Sequence, residues 1–171
     1  MSKYLLDSNV LIEPHQNYYP FDFALSFWRQ LGNILRRRDA IILKVVNDEI
    51  ARADDRLSNW LRDINKDVKP MSVSRNQKVH DNYALVIQYI QECGFYKENA
   101  LLNWSKENIA DPWLIATAMS GNYKIVTREQ PTGNLSRKNP QGNPKIPDVA
   151  KNFNAQCISL FDFMRAMNFQ L

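Results

Sequence analysis

The sequence predicts an α/β protein, with three layers α/β/α around a mainly parallel central sheet. Three observations predict it. Short apolar runs alternate with helical patterns, which implies right-handed crossovers between parallel strands. The runs are continuously apolar, as strands covered on both faces require. Polar residues follow directly on them, at the edge where open parallel sheets bind ligands.

Each element has its own signal. Lys3–Asp7 reads as a strand, with Tyr4-Leu5-Leu6 running straight into Asp7-Ser8-Asn9. Phe21 to Arg38 has helical period, placing Phe23, Phe27, Leu31, Ile34 and Leu35 on one face. Ala40–Leu43 is a second strand, and Asn47–Arg62 a helix with Ile50, Leu57, Trp60 and Leu61 inward. Charge, Pro70 and Ser72 mark a loop over Asp63–Ser74. Gln77–Cys93 is helical through Val79, Tyr83, Val86, Ile87 and Ile90, and Gly94 stops it. A short helix near Asn99–Lys106, a firm one over Pro112–Ser120 and the strand Lys124–Thr127 follow. Arg128–Pro147 is a loop holding four of the eight prolines and the cations Arg128, Arg137, Lys138 and Lys145. Loops of this length are usually functional or mobile. Asp148–Phe153, Gln156–Ser159 and Leu160–Met167 complete the chain as helix, strand and helix.

A chain of 171 residues is expected to form a single domain, 1–171. Its 44% hydrophobic and 23% charged content excludes a disordered or collagen-like chain. The net charge of +4 allows a polyanionic partner without requiring one. Cys93 and Cys157 are too few for a disulfide framework and form no C-x-x-C pair. No run approaches the ~18 apolar residues of a membrane span. Asp7 interrupts the apolar start too early for a signal peptide. The expectation is a cytoplasmic protein without a membrane partner.

Four acids stand at element ends. Asp7 closes the first strand, Glu49 opens the helix after the second, Asp111 precedes the Pro112 helix, and Glu129 lies two residues past Thr127. Each also has a structural explanation. Asp111-Pro112 suits an N-cap followed by Pro at N1, and Glu49 would favour the dipole of a helix capped by Asn47. Asp7-Ser8-Asn9 suits a turn, and Glu129 could be solvated. Together they suggest more, because carboxylates meeting at one edge repel unless a cation neutralises them. Oxygen-only ligands suit Mg²⁺ or Mn²⁺, which clamp phosphoryl oxygens and generate a nucleophile from water. The only histidines, His15 and His80, offer no zinc cluster.

Leu5-Leu6-Asp7-Ser8-Asn9-Val10-Leu11-Ile12, Val46-Asn47-Asp48-Glu49-Ile50, Ala110-Asp111-Pro112-Trp113-Leu114-Ile115-Ala116 and Ile125-Val126-Thr127-Arg128-Glu129 resemble, in order, the four signatures of the PIN domain. Glu13–Asp22 with Phe27-Trp28, and Lys145–Val149 followed by Cys157–Leu160, resemble an uncharacterised branch of PIN-like proteins. The resemblance implies a metal-dependent endoribonuclease, often the toxin of a toxin–antitoxin pair. It maps Asp7, Glu49 and Asp111 onto the metal-binding acids, and Ser8 onto the small hydroxyl residue beside the first. Asn9 matches the usual Asn, which would orient Asp7. At the fourth site this chain departs, with Glu129 where many members have Asp; Thr127 and Asp148 would support it.

Arg128, Arg137, Lys138 and Lys145 are the candidates for binding RNA phosphates. Tyr18, Tyr19 and Trp28 could stack on bases or serve core packing, and Arg36-Arg37-Arg38 complements a helix C-terminus. An antitoxin protein and a homodimer are further partners the reading allows. Two other readings compete: a catalytically degenerate PIN-like RNA- or protein-binding module, and a phosphotransferase or phosphatase with Asp7 as nucleophile. The last lacks the second acid of a D-x-D pair, since Asn9 stands there, and no G-x-x-x-x-G-K-[ST] loop points to an NTPase.

Overall fold

The computed structural model describes residues 3–171. Four parallel strands, β1 (Lys3–Leu6), β2 (Ala40–Ile41), β3 (Tyr123–Val126) and β4 (Gln156–Ile158), form one sheet in the order β2-β1-β3-β4. The helices are α1 (Asn9–Glu13), α2 (Leu25–Arg36), α3 (Lys44–Ala51), α4 (Arg56–Asp67), α5 (Gln77–Glu92), α6 (Glu98–Trp104), α7 (Ala110–Ser120), α8 (Ile146–Asn152) and α9 (Leu160–Ala166). A single π-helical turn, Pro14–Tyr18, extends α1. The expected three-layer α/β/α architecture with a parallel sheet is what the chain adopts.

The strand order reverses direction between β1 and β3. From β1 the chain crosses to β2 at one edge, and from β3 it crosses to β4 at the other. Right-handed crossovers therefore put the helices between β1 and β2 on one face and those between β2 and β4 on the other. Tyr4 of β1 meets Phe163 of α9 edge-on at 5.1 Å, and Phe27 of α2 lies 5.6 Å from Phe169, so α2 and α9 share one face. On the other, α7 packs on β3 and α5 runs along α7. Helix α7 is apolar all round, with every residue from Pro112 to Ala118 buried, as a helix between a sheet and a second helix must be. The buried residues form one continuous cluster.

Several boundaries differ from expectation, each for a local reason. The helix expected over Asn47–Arg62 is two. Asp54 adopts a left-handed backbone (φ +47°), and Asp55 caps α4 by accepting from Ser58 N–H at 2.9 Å. Helix α3 starts earlier, at Lys44, so Glu49 sits in its second turn and Asn47 caps nothing. Helix α4 continues to Asp67, into the expected 63–74 loop, because Ile64 extends the buried row of Leu57 and Leu61. Helix α2 begins only at Leu25, which leaves Phe23 outside the helix and 73% exposed rather than buried. Strand β2 is shorter than Ala40–Leu43: Ile42 C=O and Lys44 N–H bond Met71 instead, at 2.9 and 2.8 Å.

The expected Arg128–Pro147 loop carries no helix or ladder strand up to Lys145, yet it is fastened midway. Gln141 N–H donates to Phe95 C=O at 2.8 Å, and Lys97 N–H to Gln141 C=O at 2.9 Å. Arg137 Nε donates to Cys93 C=O at 3.0 Å, and its guanidinium lies 5.8 Å from the Phe95 ring. Among the described residues, no helix is long and apolar enough to cross a membrane.

Candidate active site

Open parallel sheets bind ligands where the strand order reverses, outside the carboxyl ends. Here that crevice lies between β1 and β3. Asp7 N–H donates to Val126 C=O at 3.0 Å and so ties the end of β1 to β3, while Thr127 N–H donates to Ile158 C=O at 3.1 Å and ties the end of β3 to β4. The first residue past β1 is Asp7 and the first past β3 is Thr127; both are buried. Thr127 Oγ1 donates to Asp7 Oδ2 at 2.9 Å and accepts from Glu129 N–H at 3.2 Å. One hydroxyl thus fixes Asp7 and ties the turn carrying Glu129 to it. Ser8, also buried, reaches Asp7 Oδ1 at 3.5 Å. Asn9 is exposed and makes no hydrogen bond to Asp7, so the orienting role lies with Thr127.

The four acids act on one another. Burial pushes Asp7 from 3.8 up to about 6; Thr127 opposes the rise, while Glu129 and Glu49 add to it. Asp111 is pushed to about 8, by burial first and then by Asp7, Glu129 and Glu49, with Lys145 pulling the other way. Asp111 sits at the second position of α7 and does not cap it; the N-cap is Ile109. Its carboxyl accepts no hydrogen bond from any described residue, so neither a capping bond nor a partner accounts for its place in the crevice. Glu49 is half-buried on α3. Glu129 is not simply solvated: its Oε2 accepts from Ile146 N–H at 2.6 Å, and Lys145 Nζ lies 3.5 Å from its Oε1.

The remaining candidates separate. Asp148 bonds Thr132 through N–H and hydroxyl, at 2.9 and 2.7 Å, and its charge acts on Tyr89 and Tyr96 rather than on the four acids. Arg128 pairs with Glu13 at the end of α1, and Arg137 is spent on Cys93 C=O. Lys138 is exposed, leaving Lys145 as the loop cation that faces the acids. Trp28 is 2% exposed and Tyr19 stacks on Phe27 at 4.5 Å, which makes both core residues; Tyr18 is exposed and its hydroxyl donates to Glu13. Arg36 and Arg37 pair with Asp67 and Asp39.

One neighbour went unseen in the sequence. Cys157 on β4 is half-buried, and burial together with Glu129 and Asp7 pushes its thiol up to about 12. Only the strand order, which sets Cys157 beside Ile125, could have pointed to it. A cavity of about 670 Å³ lies beyond α3 among Lys44, Asp48, His80, Tyr83 and Trp113; none of the four acids lines it.

Among the described residues, no three His, Cys, Asp or Glu are gathered as a ready metal-holding group. The fit to a cation is therefore one of donor chemistry. Four hard oxygen donors repel one another in a low-polarity crevice, and Lys145 relieves this only in part.

Residues 4–171 match the family model described as Domain of unknown function (DUF4411), and the chain belongs to that family. No curated protein and no solved structure matches it.

Proposed function

We propose that this DUF4411 domain is a PIN-like, Mg²⁺- or Mn²⁺-dependent endoribonuclease. The observation that supports the reading is that the charges of Asp7, Glu49, Asp111 and Glu129, carried by four separate segments, act on one another. Asp7 and Asp111 are raised to about 6 and 8 by burial and mutual repulsion, a cost that a shared cation removes. Asp7, Glu49 and Asp111 would hold the ion, with Glu129 at the fourth corner. The ion, when bound, supplies a nucleophile from water and charge stabilisation of the phosphoryl oxygens.

The chain's own residues do the rest. Thr127 holds Asp7 in one orientation, and Ser8 faces its other oxygen. Lys145 offers an ammonium to a phosphate beside the acids. Lys138 on the exposed loop adds to RNA attraction, and Arg128 could join if it leaves Glu13. The PIN-like motifs suggest a cytoplasmic toxin of a toxin–antitoxin pair, with an antitoxin protein as partner and a homodimer as an assembly.

The test uses labelled single-stranded RNA with Mn²⁺. Wild-type protein cleaves it, EDTA stops the reaction, and Asp7→Asn loses about a hundredfold or more of the rate with its circular dichroism unchanged. Cleavage persisting in Asp7→Asn overturns the proposal. A second reading, a degenerate RNA- or protein-binding module, is favoured by one observation: no three of the acids are yet gathered as ligands. It requires RNA or partner binding without cleavage under any metal condition.

A further inference from the structure

We infer that the crevice takes one divalent cation, not two, and that Lys145 supplies there the positive charge a second ion would bring. The inference rests on the nuclease reading above. It recasts Glu129 as a positioning residue rather than a metal ligand.

Glu129 has both oxygens committed. Oε2 accepts from Ile146 N–H at 2.6 Å, and Oε1 faces Lys145 Nζ at 3.5 Å. Both partners stand at the start of α8, which has no side-chain cap of its own at Lys145. Glu129 therefore supplies from outside the acceptor that this helix end lacks. It is also held from behind, since its own N–H donates to Thr127 Oγ1, the hydroxyl that fixes Asp7. Turning the carboxylate toward a metal would strand Ile146 N–H without a partner in a half-buried place.

Lys145 completes the argument. Its side chain is about one-third exposed, its ammonium abuts Glu129, and its charge reaches Asp111. A second divalent ion beside Glu129 would meet that ammonium as a like charge at short range. The ammonium itself is a compact point charge with three donors, a form well suited to a phosphate oxygen. Of the four loop cations, Arg128 and Arg137 are engaged elsewhere and Lys138 faces solvent, so only Lys145 can serve.

The experiment is a calorimetric Mn²⁺ titration of the full chain, paired with RNA-cleavage kinetics. Wild-type protein and Glu129→Gln should each bind one ion. Lys145→Met should bind Mn²⁺ about tenfold more tightly, because a like charge has gone. The same variant should raise KM for RNA. Opposite movements of metal and RNA affinity distinguish a charge role from lost structure, which weakens both. Two ions in the wild type, or weaker Mn²⁺ binding by Lys145→Met, overturns the inference and leaves the nuclease reading standing. No ion bound at any concentration overturns the nuclease reading itself. One ion bound without RNA cleavage removes the activity and keeps the cation count.

Discussion

Asp7 and Trp28 are each 2% exposed, yet the two burials have opposite sign. Trp28 stacks on Phe21 at 4.2 Å, meets Phe27 and Trp60 edge-on at 5.0 Å, and donates its indole N–H to Tyr19 C=O at 2.6 Å. All its surface is apolar or paired, so its removal from water stabilises the fold. Asp7 has one short side-chain hydrogen bond, from Thr127, and three acids within reach of its charge. Its burial is tolerated rather than rewarded. One region makes the protein stable; the other is held in place by that stability and kept for chemistry.

The largest effect expected is on the aromatic side. Trp28→Ala should cost about 3–5 kcal/mol of unfolding free energy in urea, with the same deficit at every pH. A loss below about 1 kcal/mol would mean the aromatic cluster is not where stability resides.

Next in size is the acid side, where neutralisation should help. In the metal-free chain Asp7 and Asp111 hold protons more firmly folded than unfolded, between about 4 and their folded values of about 6 and 8. The folded state thus binds more protons than the unfolded across that window. The contribution of these two acids to stability must fall as pH rises from about 4 to 8, and level off above. Asp111→Asn should therefore raise metal-free stability at pH 8 by roughly 2 kcal/mol and change little at pH 4. Urea midpoints in EDTA at the two pH values measure it. A variant less stable than wild type at pH 8 would put Asp111 in the same class as Trp28.

The smallest effect joins the two. Thr127→Val keeps the shape and removes the hydroxyl, costing about 1 kcal/mol. Because the lost bond favoured the ionised form, the Asp7 titration midpoint should move above its wild-type position. Carboxyl NMR reads it directly; an unchanged midpoint would show that Thr127 is only packing.

The legible parts of the molecule were those set by short-range pattern. The apolar runs Tyr4–Leu6 and Lys124–Val126 gave strands, and their first polar followers marked the crevice, because parallel strands all end at one edge. The break between α3 and α4 was hidden. Arg52–Asp55 contains no Gly or Pro, Ile50 and Leu57 keep helical spacing across it, and the turn depends on Asp54 in a left-handed conformation that Asp only tolerates. The pairing of Glu129 with Lys145 was equally hidden, since the two lie 16 residues apart across a loop with no period. Asp111 shows the reverse case: its sequence fits an N-cap, and only the fold shows that Ile109 takes that position.

The backbone stitches at Gln141 divide the long loop into two stretches with different histories open to them. Between Thr132, bonded to Asp148, and Arg137, bonded to Cys93 C=O, lies Gly133, where an added Cβ would meet nothing within 4 Å, and at that tip the chain can lengthen or carry a foreign peptide. Between Gln141 and Lys145 the spacing acts as a ruler, because one residue more or fewer would shift the ammonium along the crevice. Variation among related chains should therefore gather on the near side of the stitch and be purged beyond it.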